Sequence, residues 1–211
     1  MTNSSSEEIA EISEMSTLEV RDELSEIYGA NLKDGIRPCF EVSSEDELVY
    51  IRFCERPELA LLSALKEKSS EFFEEFCAVI LERLGATSNI IGGSGDGGVD
   101  FIGFNLPLSS IGQPNPIGAS ALVIGQAKRY TEKLVSENEI RNFVGGAIKR
   151  KYMLKKTRPS QVGFLQPVVY AFWTTSDLNK NARIYSQEMG LWYLSGIALT
   201  QLALRIGVTE I

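Results

Sequence analysis

The sequence predicts an α/β protein whose core is a mixed β-sheet flanked by helices. The segment PVVYAFWTTS (167–176) is continuously apolar and β-rich, which is typical of a central strand buried on both faces. The segment SEFFEEFCAVILERL (70–84) has the apolar spacing of an amphipathic helix. From this helix onward, the predicted elements follow in the order α-β-β-β-α-β-α-β-α, which favours a sheet covered by helices.

Composition limits the chemistry that the chain can perform. The 211 residues include no histidine, which excludes Ser-His-Asp and Cys-His catalysis and histidine-based metal sites. The three cysteines have no CxxC spacing, which indicates buried thiols in a reduced compartment rather than a zinc site. The N-terminal residues are polar and acidic, unlike a signal peptide, and glycines and Arg205 interrupt the apolar window 190–208. We therefore expect a cytoplasmic protein with no membrane contact, in which carboxylates, lysines, amides and hydroxyls perform any chemistry.

The first 65 residues (1–65) predict a small α/β extension in front of a domain at 66–211. Residues 1–14 are rich in Ser and Glu and predict disorder. A helix is predicted at 16–29, and the alternating segment LVYIRF (48–53) predicts a strand. No motif in this extension indicates a function. We expect this acidic region to dock on a protein partner or to restrain the domain.

Charge is distributed unevenly along the chain. The net charge is −7, yet residues 128–158 carry 10 basic and 3 acidic residues. Residues 1–75 carry 19 acidic and 7 basic residues. This asymmetry indicates an acidic appendage and a basic working surface, although a basic helix that is simply solvated would give the same pattern.

The predicted helix at 70–84 places one carboxylate at the edge of its apolar side. Its apolar residues share one side, and Glu75 lies on the opposite, solvated side. Glu74 lies at the boundary between the two sides, from which a carboxylate can reach into a cleft. Gly85 ends the helix. The remaining strands and helices are predicted at 87–91, 99–104, 121–129, 136–156, 167–176, 177–189, 191–195 and 196–206.

Polar side chains gather at one end of a predicted hairpin. The strands at 99–104 and 121–129 are joined by a Pro/Gly/Ser-rich loop, which favours an antiparallel pair. Gln126 and Lys128 are two positions apart and therefore share a face, with Asp100 beside them at the open end of its strand. Such groups are costly to desolvate unless they are paired or bound to an ion. A structural ion pair between Asp100 and Lys128 is the alternative.

Two further polar segments allow more than one interpretation. The segment GGSGDGG (92–98) lacks the lysine of a P-loop and opens a strand, so it does not predict a nucleotide site. Its glycines would let a phosphate backbone approach closely, although a flexible hairpin loop would look the same. Asp96 is interpreted as a turn residue that could also contact a metal or hold Lys128. The hydroxyl residues at 174–176 could line a cleft or cap the helix that follows.

Five motifs together resemble a known family. FEEFCAVILERLG, GDGGVDFIGF, GQAKRY, IRNFVGGA and AFWTTSDLNKNARIYSQEMGLWYLSGIAL occur in this order over residues 70–207. They resemble the Mrr-like branch of the PD-(D/E)XK nucleases, which have the restriction-endonuclease-like fold. The usual Glu-x-Lys of the family is Gln-x-Lys here, as is habitual in this branch, and the missing acid comes from the first helix. By the family pattern that acid is Glu74, the residue that the helical wheel reaches independently.

The resemblance implies metal-dependent phosphodiester hydrolysis. Asp100 and Glu74 would bind Mg²⁺, with Mn²⁺ as a substitute, and the backbone carbonyl of Ala127 would be a third ligand. Lys128 would orient the attacking water or stabilise charge on the phosphate. Gln126 would position the water or the metal ligands.

The resemblance also implies DNA, most readily double-stranded, as the substrate. The basic residues expected to contact its phosphates are Arg129, Lys149, Arg150, Lys151, Lys155 and Lys156. No base-reading motif is visible, so sequence specificity is not predicted. We expect a DNA endonuclease of defence against foreign DNA, acting as a subunit of a larger system or as a homodimer. The alternatives are a repair or junction-resolving nuclease of the same fold and a degenerate module that binds DNA or a partner without cutting.

Overall fold

The computed structural model describes residues 6–33, 40–45, 48–53, 56–91, 98–108 and 119–209. The chain divides into two compact units, Met1–Pro57 and Glu58–Ile211. The first unit contains helix α1 (Ser6–Lys33) and an antiparallel pair of strands, β1 (Phe40–Glu45) and β2 (Leu48–Phe53). Among the described residues, no helix has the length and apolarity needed to cross a membrane.

The first unit differs from the sequence prediction in two respects. Helix α1 begins at Ser6, so residues 6–14 are helical where composition predicted disorder. The Glu, Ile and Ala residues of this stretch are adequate helix formers that continue the following helix. The predicted strand β2 pairs with β1, which was not predicted because Ser and Glu occupy most of its sequence, FEVSSE. Residues 1–5 lie outside the described residues.

The second unit is built on one five-stranded sheet. Its elements are α2 (Pro57–Glu67), α3 (Ser70–Arg83), β3 (Thr87–Ile90), β4 (Phe101–Pro107), β5 (Ser120–Lys128), α4 (Glu137–Thr157), β6 (Val168–Thr174), α5 (Lys180–Glu188), β7 (Trp192–Leu194) and α6 (Gly196–Arg205). The strand order is β3-β4-β5-β6-β7. Strands β3, β4 and β5 are antiparallel, whereas β6 and β7 run parallel to β5. The predicted mixed sheet and the predicted order of elements are confirmed.

Helices cover both faces of this sheet. Helices α2, α3 and α6 pack on one face, against strand residues such as Phe101 and Trp173. Helices α4 and α5 pack on the other face, against residues such as Ile102 and Phe172. Successive strand residues point to opposite faces. Strand β6 is therefore apolar at nearly every position, as predicted for a central strand buried on both faces.

Local signals explain where the helices around the site begin and end. The Ser69 hydroxyl accepts a hydrogen bond from the N–H of Phe72 at the start of α3, and Gly85, with φ of +93°, follows its end. Helix α5 begins later than predicted. The side chain of Asn179 caps it by accepting from the N–H of Ala182, so the hydroxyl residues at 174–176 do not cap this helix.

Helix α2 belongs to the core of the second unit. Leu61 and Leu65 are buried in the same apolar cluster as Phe73 of α3. We predicted a boundary after residue 65, whereas the second unit begins at Glu58. How short a fragment still forms a stable domain stays a prediction.

Candidate active site

Asp100 lies at the open end of the β4–β5 pair. The register pairs Phe101 with Gly125, which places Asp100 opposite Gln126. The N–H of Asp100 donates to the carbonyl of Gly125 at 2.9 Å, and its Oδ2 accepts from the N–H of Ala127 at 2.8 Å. The predicted hairpin thus brings Asp100 together with the Gln-x-Lys segment. Main-chain bonds from β5 fix the orientation of the carboxylate.

Gln126 is buried against Gly98, the last glycine of the glycine-rich loop. Its side chain is only 5% exposed, and a Cβ placed on Gly98 would lie 2.7 Å from its Nε2. Gly98 also has φ of +76°, a conformation that residues with side chains rarely adopt. Both the backbone conformation and the close approach of Gln126 therefore require glycine here. Residues 92–97, including Asp96, lie outside the described residues.

Glu74 of α3 lies within electrostatic range of Asp100. Glu74 is half-buried and Glu75 is exposed, which is the placement that the helical wheel predicted. Burial raises the pKa of Glu74, the charges of Asp100 and Glu71 raise it further, and Lys128 lowers it. Two carboxylates and one ammonium from three separate elements thus converge at one end of the sheet. Their catalytic roles stay predictions.

A buried thiol lies behind these carboxylates. Cys77 of α3 is fully buried. Burial raises the pKa of its thiol well above the usual range, and the charges of Asp100 and Glu74 add to this effect. A thiol of this kind stays protonated and is a poor nucleophile. Cys77 therefore contributes an apolar wall rather than chemistry.

The donor set at this edge fits a hard divalent cation. Asp100 and Glu74 supply carboxylate oxygens that repel one another, and a bound cation would remove that repulsion. Within the described ranges, no group of three or more His, Cys, Asp or Glu side chains could hold a metal. The N–H and carbonyl of one strand residue point to the same side. Because the N–H of Ala127 faces Asp100, its carbonyl leaves β5 on that side and suits the predicted role of third ligand.

Two buried threonines hold the end of β5 beside Lys128. Thr174 is paired with Lys128 in the parallel register, and its Oγ1 donates to the Lys128 carbonyl at 2.7 Å. The N–H of Thr175 donates to the same carbonyl at 3.2 Å. Thr175 Oγ1 accepts from the N–H of Tyr130 and donates to its carbonyl, both at 2.8 Å. Sequence reasoning proposed a cleft or a cap for these residues and missed that they fix the main chain of 128–130.

The segment beyond β5 is also tied to the start of α4. The hydroxyl of Tyr130 donates a short hydrogen bond to Glu139, which also accepts from Lys133 and from Ser136. Burial raises the pKa of Glu139, but these hydrogen bonds outweigh burial and lower it to about 2. Glu139 is therefore ionised at neutral pH. The Ser-x-x-Glu spacing at 136–139 is a capping box, a signal in the sequence that would have revealed this link.

The predicted DNA-contacting residues fall into two separate places. Arg129 follows β5 at the candidate site, where its Nη1 donates to the carbonyl of Lys66 at 2.7 Å. The others lie in the second half of α4, namely Lys149, Arg150, Lys151, Lys155 and Lys156. The chain after α4 returns to the start of β5, where Gln166 Nε2 donates to the hydroxyl of Ser120 at 3.3 Å.

Arg129 and the C-terminal end of α4 lie at opposite ends of the sheet. Strand β5 has 9 residues and runs from Ser120 to Lys128. At roughly 3.3 Å per residue its ends are about 26 Å apart. The C-terminal end of α4, with Lys155 and Lys156, is therefore far from the candidate active site, whereas Lys149, Arg150 and Lys151 lie nearer the middle of the helix.

The fold and this edge define the class of the domain. A mixed sheet covered by helices, with an acidic residue before β4 and Gln-x-Lys at the end of β5, is the restriction-endonuclease-like arrangement. Residues 65–156 match the family model of the Mrr catalytic domain, described as restriction endonuclease. This part of the chain is similar to the Mrr-like restriction endonuclease family.

One solved structure shares this fold, and two others align less closely. The DNA modification-dependent restriction endonuclease AspBHI aligns with a TM-score of 0.51 and 21% identity, over 87% of this chain and 45% of that one. The MspJI restriction endonuclease in complex with a 27-mer oligonucleotide aligns with a TM-score of 0.44 and 20% identity, over 70% of this chain and 31% of that one. The restriction endonuclease FokI bound to DNA aligns with a TM-score of 0.43 and 12% identity, over 99% of this chain and 47% of that one. The chain spans less than half the length of each. No curated protein matches it.

Proposed function

We propose that this protein is a metal-dependent endonuclease that hydrolyses phosphodiester bonds in double-stranded DNA. The observation that carries the proposal is the convergence of Asp100, Glu74 and Lys128 at the end of β5, with Asp100 fixed by the N–H of Ala127. The restriction endonuclease family of residues 65–156 supports both the reaction and the class of substrate.

Each residue of this edge has a distinct role in the proposed reaction. Asp100, Glu74 and the carbonyl of Ala127 would hold Mg²⁺ or Mn²⁺, and the ion would supply activation of water and neutralisation of phosphate charge. Lys128 donates hydrogen bonds to the attacking water or to phosphoryl oxygens on which charge develops. Gln126 is neutral and buried, so it positions the water or the ligands through its amide instead of adding a third negative charge.

One observation favours a second candidate function. Gln126 stands where the wider superfamily has a glutamate, and a site with fewer charges suits a module that binds DNA without cutting it. The presence of Glu74, Asp100 and Lys128 together favours the enzyme. A repair or junction-resolving nuclease would use the same residues, and its preference for branched DNA would distinguish it.

We also propose a setting in defence against foreign DNA. The family of residues 65–156 supports this role. The acidic charge of the N-terminal unit supports a nuclease subunit that docks on a partner through this unit.

A cleavage assay on the full chain tests the proposal. Supercoiled plasmid and linear duplex would be incubated with the protein in Mg²⁺, Mn²⁺ or EDTA, beside the Asp100→Asn variant as a control for contaminating nucleases. We expect cleaved DNA only with the wild-type protein and a metal ion. DNA binding without cleavage in either metal would support the binding module, and cleavage of RNA alone would overturn the proposed substrate.

A further inference from the structure

The turn that follows α4 exposes two large apolar side chains. Phe164 is 87% exposed and Leu165 is 88% exposed. Single exposed apolar residues are ordinary, but two adjacent ones at the tip of a turn suggest a binding role. On α4 itself, Ile148, Tyr152 and Lys155 follow at helical spacing and share one face. Tyr152 is 70% exposed, so an aromatic side chain continues the apolar tip along the helix.

The same surface is strongly basic. Residues 140–176 contain seven lysines and arginines and no acidic residue, in a chain whose net charge is −7. Lys155, one of these basic residues, contacts Phe164 of the apolar turn. Its Nζ donates to the carbonyl of Phe164 at 3.0 Å and lies 5.5 Å from the centre of the Phe164 ring. The turn is therefore held against the basic helix.

We propose that the second half of α4 and the turn at 163–166 form a separate DNA-binding surface, hereafter the distal surface. In it, lysines and arginines contact phosphates while Phe164 and Leu165 contact base faces. This proposal rests on the proposed function of the chain. Basic side chains beside exposed aromatic and aliphatic ones are the combination with which proteins grip nucleic-acid backbones and stack on or wedge between bases.

Charge favours DNA over a second copy of this chain. Two distal surfaces facing one another would bring together lysines and arginines with no acidic residue from the same stretch to pair with them. An anionic membrane offers the same charge as DNA. The family of residues 65–156 makes DNA the better occupant, and vesicles serve as an arm of the test.

The distance between the distal surface and Lys128 separates DNA binding at this surface from cleavage at the candidate active site. The turn contacts the start of β5, about 26 Å from Lys128 at roughly 3.3 Å per strand residue. That separation corresponds to roughly eight base pairs at about 3.4 Å per pair. The distal surface therefore holds the duplex without reaching the scissile phosphate. Its loss weakens affinity and leaves the cleavage rate of bound DNA unchanged.

The experiment compares three variants of the full chain. The first is Phe164→Ala with Leu165→Ala. The second is Lys155→Gln with Lys156→Gln. The matched control is Ile184→Ala, which removes an exposed apolar side chain from α5. Affinity for a fluorescent duplex would be measured by anisotropy in EDTA over a range of salt concentrations, and single-turnover cleavage at saturating DNA with Mg²⁺.

We expect the apolar variant to bind roughly 10-fold more weakly with an unchanged salt slope, because apolar side chains inserted between base steps make contacts that are not ionic. The lysine variant should bind more weakly with a slope reduced by about one to two units. The control should match wild type, and all variants should share its single-turnover rate.

The possible outcomes separate this proposal from the proposed function. If wild type binds duplex and the apolar variant binds it equally well, the distal surface is refuted and the nuclease proposal stands. If the apolar variant loses binding to phosphatidylserine–phosphatidylcholine vesicles but not to DNA, or loses self-association in sedimentation, the surface serves another partner and the proposal is overturned. If wild type neither binds nor cuts DNA, both proposals fail.

Discussion

Oδ2 of Asp100 accepts a hydrogen bond from the main-chain N–H of Ala127 at 2.8 Å. This bond joins the residue before β4 to the middle of the Gln-x-Lys segment of β5. Folding of the sheet therefore sets the position of the carboxylate relative to Lys128. Asp100 has two separable properties, namely an oxygen that accepts a structural hydrogen bond and a negative charge that the proposed chemistry needs.

Substitution of Asp100 can separate these two properties. Asp100→Asn keeps an acceptor for the Ala127 N–H and removes the charge, whereas Asp100→Ala removes both. We expect both variants, and Lys128→Ala, to lose at least about 10²–10³ in cleavage rate. Asp100→Ala should also lose about 1–3 kcal/mol of unfolding free energy because the Ala127 N–H is left unpaired, whereas Asp100→Asn should lose less. Cleavage assays and denaturant unfolding in EDTA measure the two effects. If Asp100→Asn cleaved DNA at the wild-type rate, the negative charge of Asp100 would not be needed for the reaction.

Glu74 should affect activity and stability in opposite directions. Because its folded pKa is raised, its contribution to stability is present below the unfolded pKa and is lost as pH rises through the folded pKa. At neutral pH in EDTA, Glu74→Gln should therefore unfold at the wild-type temperature or above. The variant should nevertheless lack cleavage and should not gain melting temperature on addition of Mn²⁺, because a ligand that binds only the folded state stabilises it.

Glu75→Gln is the matched control for this prediction, since Glu75 is the exposed neighbour on the same helix. It should keep wild-type cleavage and the wild-type response to Mn²⁺. Equal activity of the two variants, or the reverse order, would show that α3 contributes a different residue or none.

The hydroxyl of Thr174 should matter for cleavage more than an ordinary buried hydroxyl does. Thr174→Val removes the bond to the Lys128 carbonyl and the one that Thr174 Oγ1 accepts from the N–H of Ser176, but keeps the shape of the side chain. Thr174→Ser keeps the hydroxyl. Thr200→Val is the matched control, because Thr200 is equally buried and its Oγ1 bonds a main-chain carbonyl within α6. We expect Thr174→Val and Thr200→Val to lose a similar stability, about 1 kcal/mol.

Their cleavage should differ. Thr174→Val should lower the maximal rate at saturating metal and DNA, Thr174→Ser should restore most of it, and Thr200→Val should leave it unchanged. If both valine variants lost cleavage rate in proportion to their loss of stability, Thr174 would have a structural role only.

These threonines also show where the sequence stopped being informative. The apolar run of β6 predicted a central strand, and the spacing of Gln126 and Lys128 with the hairpin loop predicted their approach to Asp100. Those inferences need only local periodicity and one antiparallel turn. The partner of Thr174 depends on the parallel register of β5 and β6, which the connecting helix α4 leaves unspecified. A hydroxyl at a strand end can cap, line a cleft or bond its neighbour, and only tertiary pairing decides.

The basic run of α4 had a similar limit. The charge of this run could be predicted from the sequence. Its distance from Lys128 could not, because it depends on how α4 crosses from the end of β5 to the start of the parallel strand β6. The sequence therefore predicted phosphate contacts for this run but not their place in the fold.

Gly98 and Gly145 should respond differently to alanine. A Cβ on Gly98 would lie 2.7 Å from Nε2 of Gln126 at a backbone φ of +76°, whereas a Cβ on Gly145 of α4 meets nothing within 4 Å. Gly98→Ala should displace the Gln126 amide and lower both stability and cleavage. Gly145→Ala should leave cleavage unchanged and raise helix stability by up to about 1 kcal/mol. Thermal unfolding and cleavage assays of the pair check this, and a fully active Gly98→Ala would show that the position of Gln126 is unimportant.

Two truncations should locate the start of the stable domain. The 58–211 fragment keeps the buried residues Leu61, Leu62 and Leu65 of α2, whereas the 66–211 fragment lacks them. Each buried leucine contributes about 1.5–3 kcal/mol, so losing three is comparable to the whole stability of a domain. We therefore expect 58–211 to unfold cooperatively and 66–211 to be unfolded or aggregated, as judged by circular dichroism and thermal melting. Equal melting temperatures for the two fragments would place the boundary after residue 65, as the sequence alone suggested.

The longer fragment should also bind DNA more tightly than the full chain does. Residues 1–57 carry 14 acidic and 5 basic residues, and their removal takes away charge that repels phosphates. The gain in affinity for duplex of any sequence should shrink as salt is added, because exposed charges more than about 10 Å apart are screened at 0.1 M salt. Anisotropy titrations of the 58–211 fragment and the full chain at low and high salt measure it. An affinity that falls on truncation would instead mean that residues 1–57 themselves contact DNA.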